Sequence, residues 1–252
     1  GKNFHGSQIQ PSVRTVQGAL IDALKEIGWW SKGCLWIFSR TDSGVSVRMN
    51  LIRLDLPDRI TKSIEGPSVI TALNDRLPDD IVAWGVRKVP SITSSRPIIS
   101  RKYFYRSEVM KNWPQDVNLN LLEEACKLFV GTHNFTNLCR LEEGKNPVRS
   151  VVNCEPWLNH DGRPIGISVT AESFLWNQVR RMASAITGVV SGEFKLEFVA
   201  NALKNPQIPV DMGMGTSKGL ILWEIEHVSL GGLGTGTTPD TRIFSKPPLS
   251  TR

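Results

Sequence analysis

No metal-binding spacing occurs in this chain. Its four cysteines, Cys34, Cys126, Cys139 and Cys154, form no C-x-x-C pair, and its four histidines, His5, His133, His160 and His227, form no H-x-x-x-H. No metal centre is therefore expected. Scattered single cysteines suit a reducing cytoplasm, where they serve as small buried apolar residues. No apolar run approaches the ~20 residues that span a bilayer, and no signal peptide is visible, so no membrane partner is expected. No nucleotide-binding loop stands in the chain, so no small-molecule cofactor is expected either. Negative charge is missing from one long stretch. Between Ile81 and Ser107 there is no acidic residue, whereas Arg87, Lys88, Arg96, Arg101, Lys102 and Arg106 all fall there.

What is present is ordinary globular material. The 252 residues are 40% apolar and 21% charged, enough for one large domain or two modest ones with a full core. The net charge is +6 and the pI is near 9.3, which favours association with polyanions. The same balance also fits a basic but unspecialised protein. Inside the basic stretch stand Tyr103, Phe104 and Tyr105. Cations beside aromatics suit a nucleic-acid groove, since phosphates pair with Lys and Arg while bases stack on rings. A solvated edge strand over core aromatics explains them equally. In a strand, Tyr103 and Tyr105 share one face and Phe104 takes the other.

Hydrophobic spacing predicts a helix from Thr15 to about Ile27, with Thr15 as N-cap and Gly28 as stop. Leu35 to Phe38 reads as a short buried strand, and Val45 to Leu56 as a long one with Ile52, Leu54 and Leu56 on one face. A helix over 68–77 and strands over 81–89 and 102–109 follow. The second half repeats the mixture: helices over 119–130, 174–190 and 196–204, and strands over 148–157, 165–170 and 220–228. Leu175, Val179, Met182, Ile186 and Val189 give the helix over 174–190 the clearest stripe. Interleaved strands and helices in both halves indicate α/β or α+β with two similar lobes, over 1–107 and 108–228. Residues 229–252 have the Gly, Thr and Pro content of a mobile linker. The opening Gly1-Lys2-Asn3-Phe4 reads as a loop already under way, as if a strand preceded it.

Arg40-Thr41-Asp42-Ser43-Gly44-Val45 is the most informative hexapeptide. A carboxylate there stands between a strand and a glycine turn, two residues after a guanidinium that favours its ionised form. An ionised, positioned aspartate serves as nucleophile or base. It also serves as a turn cap accepting backbone amides, and spacing alone leaves both readings open. Arg180 follows Val179 at the border of the predicted helix stripe, where a carboxylate is its natural partner and solvent its usual alternative.

Together these pieces resemble the tRNA pseudouridine synthase A family. The resemblance runs in order from Phe4 to about Val228. It comprises Phe4, Gly6, Gln8 and Gln10 with Thr15-Val16-Gln17, then Ser39 to Val45, then Asn74, Leu77, Pro78 and Ile81. It continues through Arg101, Tyr103 and Tyr105; Gly131, His133, Phe135 and Thr136; Phe174, Val179 and Arg180; and Gly219, Leu220 and Leu222. Ser7 stands where the family usually has tryptophan, and Ser46 where many members have histidine. Leu138-Cys139-Arg140 and Phe174 to Gln178 are similar to archaeal and eukaryotic members more than to bacterial ones, and the compact length leans archaeal.

The resemblance implies two α+β lobes around a continuous, mainly antiparallel sheet, a central cleft and a homodimer. It implies uridine isomerisation in the tRNA anticodon stem-loop, at tRNA positions 38 to 40. It makes Asp42 the catalytic aspartate, Arg180 its partner, Tyr103 the ring packed on the flipped uracil, and Arg40 the side chain that fills the gap left by the base. Arg87, Lys88, Arg101, Lys102, Arg106, Gln8 and Arg14 are the candidate RNA contacts. The isomerisation is redox-neutral and needs no activated donor, in keeping with the missing cofactor motifs. The same chemistry on another tRNA site or RNA remains open. So does a non-catalytic RNA-binding or tRNA-folding module, although neither that nor a generic sheet-stacking RNA binder calls for the Arg-Thr-Asp-Ser-Gly loop.

Overall fold

The computed structural model describes residues 1–89 and 98–228. Arg96 and the 229–252 tail lie outside the described residues. The elements in chain order are α1 (Val16–Ile27), β1 (Leu35–Ile37), β2 (Ser46–Val47), β3 (Ile52–Leu54), α2 (Asp58–Thr61), α3 (Gly66–Asn74), β4 (Ile98–Arg106), α4 (Leu119–Lys127), β5 (Gly131–Asn134), β6 (Val148–Leu158), β7 (Pro164–Ala171), α5 (Gln178–Val190), α6 (Leu196–Lys204) and β8 (Leu220–His227).

The ends of α1 follow from its sequence. The Thr15 hydroxyl accepts the Gly18 amide at 3.1 Å, satisfying one of the orphan donors of the first turn. Gly28 closes the helix in the left-handed region at φ 79°, where a residue without Cβ fits. α1 turns Leu20, Ile21, Ala23 and Leu24 onto α3, β1 and β3, forming a small core with Leu35, Leu73 and Leu77.

The main sheet has six strands in the order β2-β8-β4-β7-β6-β5. All its pairings are antiparallel except β2 with β8. β4 is central, and its alternation puts Tyr103 and Tyr105 into the larger core with Leu122 of α4, Met182 and Ile186 of α5, and Val199 of α6. Phe104 takes the opposite face, its ring 4.6 Å from Trp157 and 4.8 Å from Trp223. All four cysteines are buried and unpaired.

Four expectations need correction. The described strands form two sheets rather than one continuous sheet, since β1 and β3 pair only with each other. The predicted long strand over 45–56 divides into β2 and β3, which join different sheets. Asn50 causes the break: its side chain accepts the Ser39 and Leu51 amides at 3.2 and 2.8 Å and donates to the Ser39 carbonyl at 2.8 Å. The predicted strand over 81–89 has no regular structure, because Asn74 brackets Ala83, accepting its N–H at 2.7 Å and donating to its C=O at 2.9 Å. Finally, the helix expected from 174 starts at Gln178, since Asn177 sits at φ 64°, outside the right-handed helical region.

Candidate active site

Asp42 sits on the loop that carries the chain from β1 to β2, and so from the small sheet to the large one. Little of that loop is held by its own hydrogen bonds. The segment around Phe4 to Ser7 holds it instead. The Ser7 amide donates to the Thr41 carbonyl at 3.1 Å, and the Ser7 hydroxyl accepts the Thr41 amide at 2.9 Å. The Gly44 amide reaches the Phe4 carbonyl at 3.4 Å. Gly6 adopts φ 95°, and a Cβ there would stand 2.9 Å from the Thr41 carbonyl oxygen. The glycine in the opening phrase is thus required by the close approach of the two loops.

Arg180, in the first turn of α5, faces Asp42. Its Nη1 lies 3.5 Å from Asp42 Oδ2, while Nε donates to the Gly215 carbonyl at 2.8 Å and Nη1 to Asn177 Oδ1 at 3.0 Å. The guanidinium side chain is 14% exposed and the carboxylate side chain 38%. The cation is therefore enclosed and fixed by neutral acceptors, whereas the carboxylate remains open to an incoming group.

Tyr103 forms a wall of the same site. Phe174 meets its ring edge-to-face at a centroid distance of 5.4 Å. Burial raises its pKa, and Asp42 raises it further, against the opposing pull of a Ser39 hydrogen bond and the Arg101 charge. The phenol is consequently protonated at neutral pH. Asp42, Arg180 and Tyr103 are brought together from a loop, a helix and a strand. Arg40 is on the same loop but exposed, and among the described residues it has no ion pair or hydrogen bond from its side chain.

The candidate RNA contacts are dispersed. Arg101 turns inward: Nε donates to Ser39 Oγ at 3.2 Å, Nη2 to the Phe38 carbonyl at 3.2 Å and Nη1 to the Glu172 carbonyl. Burial lowers its pKa. Its geometry ties β4 and the end of β7 to the base of the Asp42 loop. Arg14 forms a two-pronged pair with Asp80 at 2.8 and 2.7 Å and lies 4.1 Å from the Phe4 ring centroid, and this pairing holds the Asp80 carboxyl below its ordinary pKa. Arg106 donates to the Lys218 carbonyl at 2.6 Å and pairs with Glu108 at 3.0 Å. Lys102 rests 5.2 Å from the Phe104 ring centroid, and Lys88 reaches the Thr61 carbonyl. Arg87 and Gln8 are exposed.

Several residues of the site carried no signal of their own. Asn177 and Gly215 hold Arg180, and Gly215 has no room for a side chain, since a Cβ would stand 2.3 Å from the Tyr105 hydroxyl. That hydroxyl donates to the Thr216 carbonyl at 2.7 Å, and burial pushes its pKa up to about 12. Ser39 serves both Tyr103 and Arg101. The one available hint was the repeated glycine in Met212-Gly213-Met214-Gly215, a composition that marks close backbone approach.

The chain is also similar to known proteins. A family profile described as tRNA pseudouridine synthase matches residues 125–227. A protein of Methanocorpusculum labreanum is 34% identical over 229 residues, covering 89% of this chain and 76% of that protein. One of Pyrococcus furiosus is 32% identical over 234 residues, covering 90% and 80% respectively. One of Methanosphaerula palustris is 32% identical over 254 residues, covering 96% and 81%. All three bear the name tRNA pseudouridine synthase A.

Proposed function

Because the chain belongs to the tRNA pseudouridine synthase A family, an isomerase family, we propose that it converts uridine to pseudouridine in the anticodon stem-loop of tRNA, at tRNA positions 38 to 40, with Asp42 as the catalytic carboxylate. One observation carries the assignment: an open carboxylate faces an enclosed guanidinium, anchored through Nε and Nη1, beside a protonated tyrosine.

The reaction breaks the bond from C1′ of the ribose to N1 of the uracil, turns the ring and rejoins it through C5. N1 gains a proton overall and C5 loses one, so the isomer balances without any co-reactant. The uracil must first leave the stack, at a cost of a few kcal/mol. Arg40, exposed and free of internal partners, offsets part of that cost by occupying the gap. Asp42 acts on the nucleoside held against Tyr103, either by trapping the sugar or base or by supporting charge on the ribose. Arg180 keeps the carboxylate aimed and offsets its negative charge, since Gly215 and Asn177 hold its Nε and Nη1 in place. The enzyme acts as a homodimer, as its family resemblance implies.

The test is to incubate wild type and Asp42→Ala with unmodified tRNA, without metal or nucleotide, and to map pseudouridine by chemical adduct and sequencing. Product at the anticodon stem with wild type alone is the expected result. Wild type that binds tRNA tightly and makes no product would remove the catalytic reading.

A further inference from the structure

Near the Asp42 site stands a second arginine that, among the described residues, meets no carboxylate. Arg140 is exposed, and its guanidinium carbon lies 4.1 Å from the centroid of the Trp176 ring. Its backbone N–H donates to the Trp176 carbonyl at 2.8 Å. Among the described residues its side chain takes no carboxylate, carbonyl or hydroxyl partner. Four other arginines differ: Arg14, Arg53, Arg106 and Arg181 each have an acidic partner at 2.7 to 3.0 Å.

The backbone that carries the ring beneath Arg140 is itself held. Trp176 is 41% exposed, a large apolar surface for a segment so firmly held. The Leu175 amide donates to Gln178 Oε1 at 2.8 Å, and Asn177 takes the left-handed conformation that ends the loop. Asn177, about 3.8 Å away along the backbone, accepts from Arg180. Two residues earlier, Phe174 packs against Tyr103. The Arg140–Trp176 pair is thus built into the rim of the loop that walls the candidate site.

A guanidinium stacked on an indole keeps its N–H edges free and loses little further freedom when those edges are used. Its planar fork matches a phosphate. We propose that Arg140, braced on Trp176, contacts a phosphodiester of the RNA strand next to the uridine that enters the Asp42 site. This rests on the uridine-isomerising reading above. Such a contact supplies affinity and register without choosing a base.

The experiment uses the full chain and unmodified tRNA. Affinity is titrated across salt concentrations, and single-turnover formation of pseudouridine is followed at saturating protein. Arg140→Gln is expected to weaken binding about tenfold at low salt and to make the slope of log K against log salt shallower by about 0.7 to 0.9, one phosphate contact. Its saturating single-turnover rate stays within about twofold of wild type. Arg140→Lys retains the slope and loses part of the affinity, because a point ammonium does not lie flat on the ring. Trp176→Ala weakens binding by a similar factor, and adding Arg140→Gln to it costs little more. Unchanged affinity and slope in Arg140→Gln would overturn the proposal, as would normal binding with a lost saturating rate. Wild type that binds but makes no product would count against the isomerase reading only, while the Arg140→Gln slope still decides the phosphate contact.

Discussion

Arg101→Met separates a residue that holds the site from one that binds RNA. Methionine keeps much of the arginine stem and removes only the guanidinium. Two of the three lost contacts, to Ser39 Oγ and the Phe38 carbonyl, are partly buried at the root of the Asp42 loop. At about 1.5 kcal/mol for each hydrogen bond from a charged donor, they amount to about 3 kcal/mol. The third, to the Glu172 carbonyl, is exposed, and water replaces it. Burial of the charge, the cause of its lowered pKa, returns part of that sum, leaving a net loss of about 2 kcal/mol. For a chain of this size that is a fall of roughly 4 to 8 °C in Tm, readable by circular dichroism. With the loop loosened, single-turnover pseudouridine formation should drop about tenfold or more, since small displacements of a catalytic group are expensive. The tRNA affinity and its salt slope should hardly change. A variant with wild-type Tm, weaker tRNA binding and a shallower salt slope would refute this account and place the guanidinium on a phosphate.

Three further outcomes are expected. Arg180→Lys should lower the saturating single-turnover rate by at least about tenfold, because one ammonium cannot serve Gly215, Asn177 and Asp42 in the geometry of a planar fork; a wild-type rate would show that the anchoring is dispensable. Gly215→Ala should cost about 1 to 3 kcal/mol in denaturant unfolding, since the new methyl would meet the fully buried Tyr105 ring and the backbone that holds Arg180. Tyr105 is raised to about 12 when folded, against about 10 when unfolded, so its contribution is complete below pH ~10 and is lost as pH rises toward 12. The stability gap between wild type and Tyr105→Phe should therefore narrow above pH ~10, and a constant gap would contradict the shift.

Elements governed by local rules were legible. Thr15 and Gly28 set the ends of α1, and alternation put Tyr103 and Tyr105 on one face and Phe104 on the other. Elements decided by one distant side chain were not. Nothing in the apolar pattern of 45–56 says that Asn50 will bond back to Ser39 and divide the strand, or that Asn74 will reach Ala83. The apolar spacing of 174–190 likewise outweighs the single left-handed residue that delays α5. In the candidate site, the helix stripe left Arg180 a carboxylate or solvent, and only the family resemblance named Asp42, which stands 3.5 Å from it. Arg101 showed the limit of composition: a cation in a basic run suggests an RNA contact and says nothing of the Ser39 and Phe38 oxygens that its guanidinium meets.

The geometry also explains how the candidate carboxylate is held on a loop. Asp42 belongs to neither a helix nor a strand, yet its loop is tied to Ser7 before α1, its root to Arg101 of β4, and its side chain to Arg180 of α5. Each tie comes from a different packed element, so the loop inherits the rigidity of the two cores without being buried in either. Burial in a core would have cost the carboxylate its hydration and closed it to an incoming group. Exposure without ties would have left it mobile, and a catalytic group gains from being held near its working position before substrate arrives. The half-open aspartate against a closed arginine satisfies both demands: held, because a fixed cation lies 3.5 Å from it, and accessible, because the enclosure belongs to the cation alone.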